Sequence, residues 1–177
     1  MVKVGVFLRA VNLPGGRLLM ADFKRALDEA GYPGAQTVVA TGNAVISAKA
    51  ADARLEAVIE AGLQATLGQS TDVFVRSGAE LAAIVAANPW PDMARDDPGH
   101  LVVVFLKAEA AAADVEVLRG KIAGPELVAA GPGCLYASYP AGIGTSKLTA
   151  AMIERALKTR GTARNWNTLR KMADLAA

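Results

Sequence analysis

The sequence has one cysteine and one histidine in 177 residues, and few aromatic side chains within a hydrophobic content of 53%. Each scarcity removes a class of explanation. A lone Cys134 closes no internal disulfide, and with His100 as the single histidine the chain lacks the ligands of an ordinary structural zinc site. One histidine supplies no Ser-His-Asp arrangement with its partners in recognisable places, and Cys134 falls in an apolar, strand-like segment where a thiol is a small buried group. Metal motifs of the His-Glu-x-x-His or Cys-x-x-Cys kind are absent. No apolar run approaches the length of a membrane span, and the stretch from Val4 to Leu8 is too short and badly flanked for a signal peptide. A reducing, cytoplasmic location is therefore expected, with no membrane association, no metal and no cofactor. The apolar content and the 20% of charged residues exclude intrinsic disorder.

The charge that is present is unevenly spread. Residues 147–177 carry seven basic groups (Lys147, Arg155, Lys158, Arg160, Arg164, Arg170, Lys171) against Glu154 and Asp174, a net of +5 in a chain whose total is +2. The first 31 residues contribute +2, which leaves −5 for the middle. A basic end over an acidic middle suits a polyanion, a phosphate ligand or a charge-complementary surface of the same protein, and equally a solvated helical face. The small total argues against non-specific coating of nucleic acid.

Val2, Val4, Val6 and Leu8 alternate with Lys3, Gly5 and Arg9, which predicts a strand ending near Arg9 and leading into a loop with Pro14, Gly15 and Gly16. Met20, Phe23, Leu27 and Ala30 recur at helical spacing before the stop at Gly31. Gln36–Thr41 and Ala44–Ser47 predict two antiparallel strands around a tight turn at Gly42 and Asn43. Asp52 caps a helix with the stripe Leu55, Val58, Ile59, Leu63 and Leu67, closed by Gly68, and a strand follows over Thr71–Arg76. Ser77 and Glu80 form a capping box for a helix to about Ala87. The prolines and aspartates of residues 88–99 predict a connecting loop and not an oxygen-ligand metal cage. Leu101–Leu106 is a strand covered on both faces, Asp114–Ile122 a helix, and Glu126–Ala130 and Cys134–Tyr139 strands around Gly131-Pro132-Gly133. Two helices from about Ser146 and Asn165 complete the chain. The expected class is α+β, with two small ferredoxin-like α+β subdomains packed side by side. Residues 1–87 form a βαββαβ unit plus a connecting helix, 88–99 a linker, and 100–177 a βαββαα unit, without obvious sequence repetition between them.

Three polar segments exceed what a core requires. Arg9–Arg17 places Asn12 and glycine backbone donors at a strand end, an arrangement that holds anions and also occurs in plain loops. Thr41, Gly42 and Asn43 are explained by the turn they form. Gly142–Lys147 brings glycines, hydroxyls and an ammonium to a predicted helix start, without the Gly-Lys-Ser/Thr order of a phosphate-binding loop. In a helix built from Asn165 onward, Trp166, Leu169, Ala173 and Ala176 share one side, with Arg164, Asn167, Thr168 and Lys171 opposite, so Trp166 is a core anchor. The strand from His100 to Lys107 lacks the glycine-aromatic signature of RRM-type RNA readers.

Phe7-Leu8-Arg9-Ala10-Val11-Asn12, Thr41-Gly42-Asn43, Asn88-Pro89-Trp90, Ser146-Lys147-Leu148-Thr149 and Thr162-Ala163-Arg164-Asn165-Trp166-Asn167-Thr168 follow one another in the order and spacing of a bacterial family, the domain of unknown function 1697, which the chain resembles over essentially its whole length. Members usually read Leu-Arg-Gly-Ile-Asn and Ser-Gly-Asn at the first two motifs, so Ala10, Val11 and Thr41 are departures, and Ala163 replaces a frequent Thr. The resemblance implies a two-part α+β fold with ferredoxin-like elements and no established activity. Carried onto this chain, its motifs mark Arg9, Asn12, Thr41, Gly42, Asn43, Ser146, Lys147, Arg164, Asn165 and Asn167 as candidate ligand-binding residues, with catalytic residues unknown. Three readings stay open. One is a binding module for a phosphate-bearing ligand, a small molecule, nucleotide or nucleic acid, in an Arg/Asn/Lys cleft. Another is a small enzyme in which Lys147 or Glu154 acts on a phosphorylated metabolite. The third is a structural network tying the halves together.

Overall fold

Alternation of side chains along β1 (Val2–Leu8) turns Val4, Val6 and Leu8 to one face of a sheet and Gly5 and Phe7 to the other. A computed structural model describes all residues, 1–177. After β1 come a two-residue hairpin, β2 (Asn12–Leu13) and β3 (Gly16–Arg17), then α1 (Met20–Glu29), β4 (Gln36–Val38), β5 (Asn43–Ala48), α2 (Ala53–Leu67) and β6 (Val73–Ser77). The sheet is antiparallel in the order β4-β5-β1-β6, and α1 and α2 cover the face that carries Val4, Val6, Leu8, Ile46, Val73 and Val75. The caps fall where the residue types demand. The Asp52 carboxylate accepts from the Leu55 N–H, Gly68 ends α2 in the left-handed region, and Ser77 and Glu80 satisfy each other's backbone groups at the start of α3 (Gly78–Ala86).

The second half contains α4 (Pro91–Asp96), β7 (Leu101–Leu106), α5 (Ala112–Lys121), β8 (Leu127–Gly131), β9 (Cys134–Ser138), α6 (Ala150–Leu157), β10 (Gly161–Asn165) and α7 (Trp166–Ala176). Its sheet is antiparallel in the order β10-β7-β9-β8, with α5 and α6 packed on Val102, Val104, Leu106, Leu135 and Ala137. All six residues of β7 are buried, as a central strand covered on both faces requires. On its opposite face the Tyr136 hydroxyl donates to the Ile84 carbonyl, and burial pushes that phenol's pKa up. By contacts the chain divides into two compact units, residues 1–82 with 171–177, and residues 83–170, so α3 and α7 contribute to both. Each unit is a mixture of helices and an antiparallel sheet, and no helix is long and apolar enough to cross a membrane.

Numbered within its own unit, each sheet has the strand order 4-1-3-2 and the element order βαββαβ of a split βαβ unit. The correspondence extends to single bonds. Leu8 N–H donates to Gly42 O and Leu106 N–H to Gly133 O; Arg9 N–H donates to Asp72 O and Lys107 N–H to Arg160 O; Ala10 N–H donates to the Thr71 hydroxyl and Ala108 N–H to that of Thr159. Superposed in this way, Val4-Gly5-Val6-Phe7-Leu8-Arg9-Ala10 matches Val102-Val103-Val104-Phe105-Leu106-Lys107-Ala108, a repetition that the sequence alone did not make obvious.

Five expectations are corrected. Strand Gln36–Thr41 ends at Val38, and Asn43 belongs to β5 and not to the turn, because its side-chain amide donates to Val38 O and to the Thr41 hydroxyl and closes a four-residue loop. Residues 88–99 hold α4, which has Pro91 at its first position, where the missing N–H costs nothing. The sixth helix starts at Ala150 under a Thr149 cap, four residues after Ser146. The second half also has a fourth strand, β10. Gly161-Thr162-Ala163-Arg164-Asn165 shows no apolar alternation, and its strand character comes from pairing with β7. The buried stripe of α7 is Trp166, Leu169, Met172 and Ala176, with Met172 in the place expected for Ala173.

Gly42 has φ +77°, and a Cβ there would lie 2.8 Å from Val11 Cγ1 and 2.9 Å from Leu8 Cβ, whereas Gly68 at φ +62° faces open space. Gly42→Ala is expected to cost about 2–5 kcal/mol, left-handed strain plus overpacking, against about 1–2 kcal/mol for Gly68→Ala. Chemical denaturation of the two variants checks the ranking.

Candidate functional site

At the corner where β1 leaves the first sheet and β6 enters it, the Arg9 guanidinium pairs with the Asp72 carboxylate at 3.1 Å. Gly15 N–H donates to the Gln69 side chain, and Arg17 donates to Ala40 O, so the loops on both sides are tied to the same corner. Asn12 is exposed on the β2–β3 hairpin, opposite Arg17 in register. Asn43 is fully buried, and its amide is engaged by Val38 and Thr41. Val39 in this loop sits at φ +48°, a strained conformation for a β-branched residue that the surrounding bonds hold in place. Of the five candidates in this unit, Asn43, Gly42 and Thr41 build the loop, Arg9 is neutralised by Asp72, and Asn12 faces solvent.

In the second unit Ser146 donates to the Glu126 carboxylate and accepts from Leu148 N–H, and that hydroxyl holds the Glu126 carboxyl below its ordinary pKa. Lys147 is exposed in the same loop. Arg164 lies in β10 and is 8% exposed, not on the open face of the last helix as its spacing suggested. Its guanidinium donates to the Thr162 hydroxyl and to Ala163 O, each at 2.8 Å, and burial brings its pKa down to about 10, so it remains a cation at neutral pH. Arg76 makes the same bond to Val75 O at the matching position of β6. Asn165 caps α7 through the Thr168 N–H, and Asn167, two residues on, is exposed. These five are not gathered into one cavity.

Two concavities of the second unit contain chemistry. The first, about 590 Å³, is a depression bounded by Lys107, Arg155, Lys158 and Arg160, with Glu154 and Thr159. Lys158, in the left-handed region at the end of α6, also reaches Asp114 at 2.8 Å, and Glu154 accepts from Gly161 N–H at 3.0 Å. Lys107 and Arg160 stand at the positions of Arg9 and Asp72, so both residues of this copy of the corner are basic where the other has a base and an acid. The second concavity, about 350 Å³, lies over β10 between α6 and the loop before it; Ser146 is the single sequence candidate among its lining residues. Tyr139 borders it with its hydroxyl donating to Leu148 O, and burial, with the Glu126 charge adding to it, pushes that phenol up to about 12. The basic set was visible in the sequence only as the +5 of the last 31 residues; matching Arg9 to Lys107 through the repeated strand would have located it.

A family model described as "Protein of unknown function (DUF1697)" matches residues 1–136. The chain belongs to that family. The DUF1697 match ends within β9, so the Thr162–Thr168 motif lies beyond it. The chain is also similar in fold to a solved structure titled as the conserved bacterial protein SP0830 from Streptococcus pneumoniae, with a TM-score of 0.71 at 15% identity, covering 99% of this chain and 98% of that one. No curated protein matches. In this DUF1697 chain, Asn43→Ala is expected to cost about 2–3 kcal/mol, because it strands the Val38 carbonyl, while Lys147→Ala should stay within about 0.5 kcal/mol. Urea midpoints of the two variants separate a structural motif residue from an exposed one.

Proposed function

We propose that the protein binds a phosphate-bearing ligand, and that the anion sits in the basic depression of the second unit and not on Arg9, Lys147 and Arg164. One observation carries this reading: at the repeated corner, the arginine and aspartate of the first unit are replaced by Lys107 and Arg160, with Arg155 and Lys158 on the same rim. Four cationic side chains around one depression create a positive local potential that raises the concentration of anions there. Two carboxylates stand near these four cations, Glu154, which also accepts from the Gly161 N–H, and Asp114, which pairs with Lys158, so the rim keeps an excess of positive charge. A guanidinium and ammonium groups in one depression match the oxygens of a phosphate, Arg160 by bidentate bonds and the lysines as point charges.

Calorimetry with pyrophosphate at low salt tests the proposal. Binding is expected to weaken steeply as salt is raised. Arg160→Asp recreates the charge pattern of the first unit and is expected to reduce affinity by about tenfold or more, while Arg9→Gln changes it by less than about twofold. Absence of pyrophosphate binding at low salt, or equal affinity in Arg160→Asp, overturns the reading.

A further inference from the structure

The edge strands of the two sheets differ in what receives their outward N–H groups. On β6 the N–H groups of Val73 and Val75 point away from β1, and two glutamates one turn apart on α2 take them, Glu60 at 2.9 Å and Glu56 at 3.0 Å. On β10 the matching Gly161 N–H is taken by Glu154. One turn earlier on α6, where Glu56 has its counterpart, stands Ala150, which has no acceptor. Alternation along the strand points the Ala163 N–H in the same direction as that of Gly161, into the cavity of about 350 Å³ that Ala150 and Ala163 both line. The side chains changed with it. Gly161 and Ala163 replace Val73 and Val75, and α6 has 8 residues against the 15 of α2, so the space that a helix fills in the first unit is open in the second. Its remaining walls include Val104, Ile143, Leu148 and Ile153.

This cavity and the basic depression adjoin. Laid out at about 100° per residue, α6 turns Ala150 and Ile153 toward the cavity and Ala151, Arg155 and Lys158 toward the depression, with Glu154 between them and lining both. We infer that the phosphate-bearing ligand is a mononucleotide, its phosphates in the basic depression and its base in the cavity over β10, where a ring nitrogen or carbonyl accepts from the Ala163 N–H. This inference rests on the anion-binding reading above and adds the ligand's second half. Apolar walls with a few polar groups at the edge, here the Ala163 N–H with Ser146, Thr149 and Glu154, are how a small-molecule site combines affinity with orientation, and the cavity volume lies within the usual range of about 300–1,000 Å³. The ring completes the sheet edge as the Glu56 carboxylate does in the first unit.

Calorimetry with pyrophosphate, ribose 5-phosphate and a panel of nucleoside diphosphates, on the wild type and two variants, tests it. At least one nucleoside diphosphate is expected to bind tenfold or more tightly than pyrophosphate. Ala150→Gln supplies a neutral acceptor in the place of Glu56, and Ala163→Leu fills the floor of the cavity; each is expected to erase that tenfold gain while leaving pyrophosphate affinity within twofold. Because Ala150 and Ala163 are exposed, retained pyrophosphate binding also reports that the variants fold. Pyrophosphate binding with no gain for any nucleotide, or a gain that survives both variants, overturns the base site and leaves the anion site standing. No binding of either kind overturns both.

Discussion

A backbone N–H at the edge of a sheet must find an acceptor, and the way this chain meets that demand organises most of what is described above. Each sheet has an edge strand whose outward donors face a helix that begins in the preceding connection. Where that helix is long and carries glutamates one turn apart, as α2 does with Glu56 and Glu60, the edge is closed, the flanking residues are valines, and the strand packs tightly. Where the helix is short and has one glutamate, as α6 does with Glu154, one donor is closed and the next opens on a cavity. The helix residue four positions earlier, glutamate or alanine, together with the length of the helix and the size of the strand residues it faces, separates a sealed core from a pocket.

The same comparison explains how two copies of one topology come to differ in electrostatics. The bonds that close the corner use backbone atoms and a threonine hydroxyl in both units, so the side chains at the two strand ends are free to change without loss of the fold. In the first unit they form an ion pair of modest worth, as half-exposed pairs do. In the second they are both basic. The scaffold keeps its geometry through the backbone and leaves the charge of the corner to other requirements.

Features with local causes were legible in the sequence. The strand at Val2–Leu8, the helix begun by Asp52 and stopped by Gly68, the capping box at Ser77 and the apolar run Leu101–Leu106 each depend on residues close to one another in the chain. What escaped depends on distant partners. β10 has no strand pattern of its own and is a strand because β7 accepts it; Ser146 looks like a helix cap, but its hydroxyl is committed to Glu126, twenty residues away. The candidate residues were chosen as polar groups in motifs, and several are polar because a buried loop or strand end needs them: Asn43 for Val38, Arg164 for Thr162 and Ala163, Asn165 for the start of α7. The basic rim was missed because Lys107 stands far from the other three in sequence and only the superposition of one half on the other brings them together.

The sharing of α3 and α7 between the compact units has a consequence for the order in which the protein forms. Residues 171–177 belong to the unit built from the first 82, and the backbone at Ala176 lies so close to Gly78 that a side chain there would have no room. A chain emerging from the ribosome therefore exposes its first sheet and both covering helices long before the piece that completes them has been synthesised. Through the making of residues 83–170 the first unit exists unfinished, and the piece that closes it follows directly on the last residue of the second.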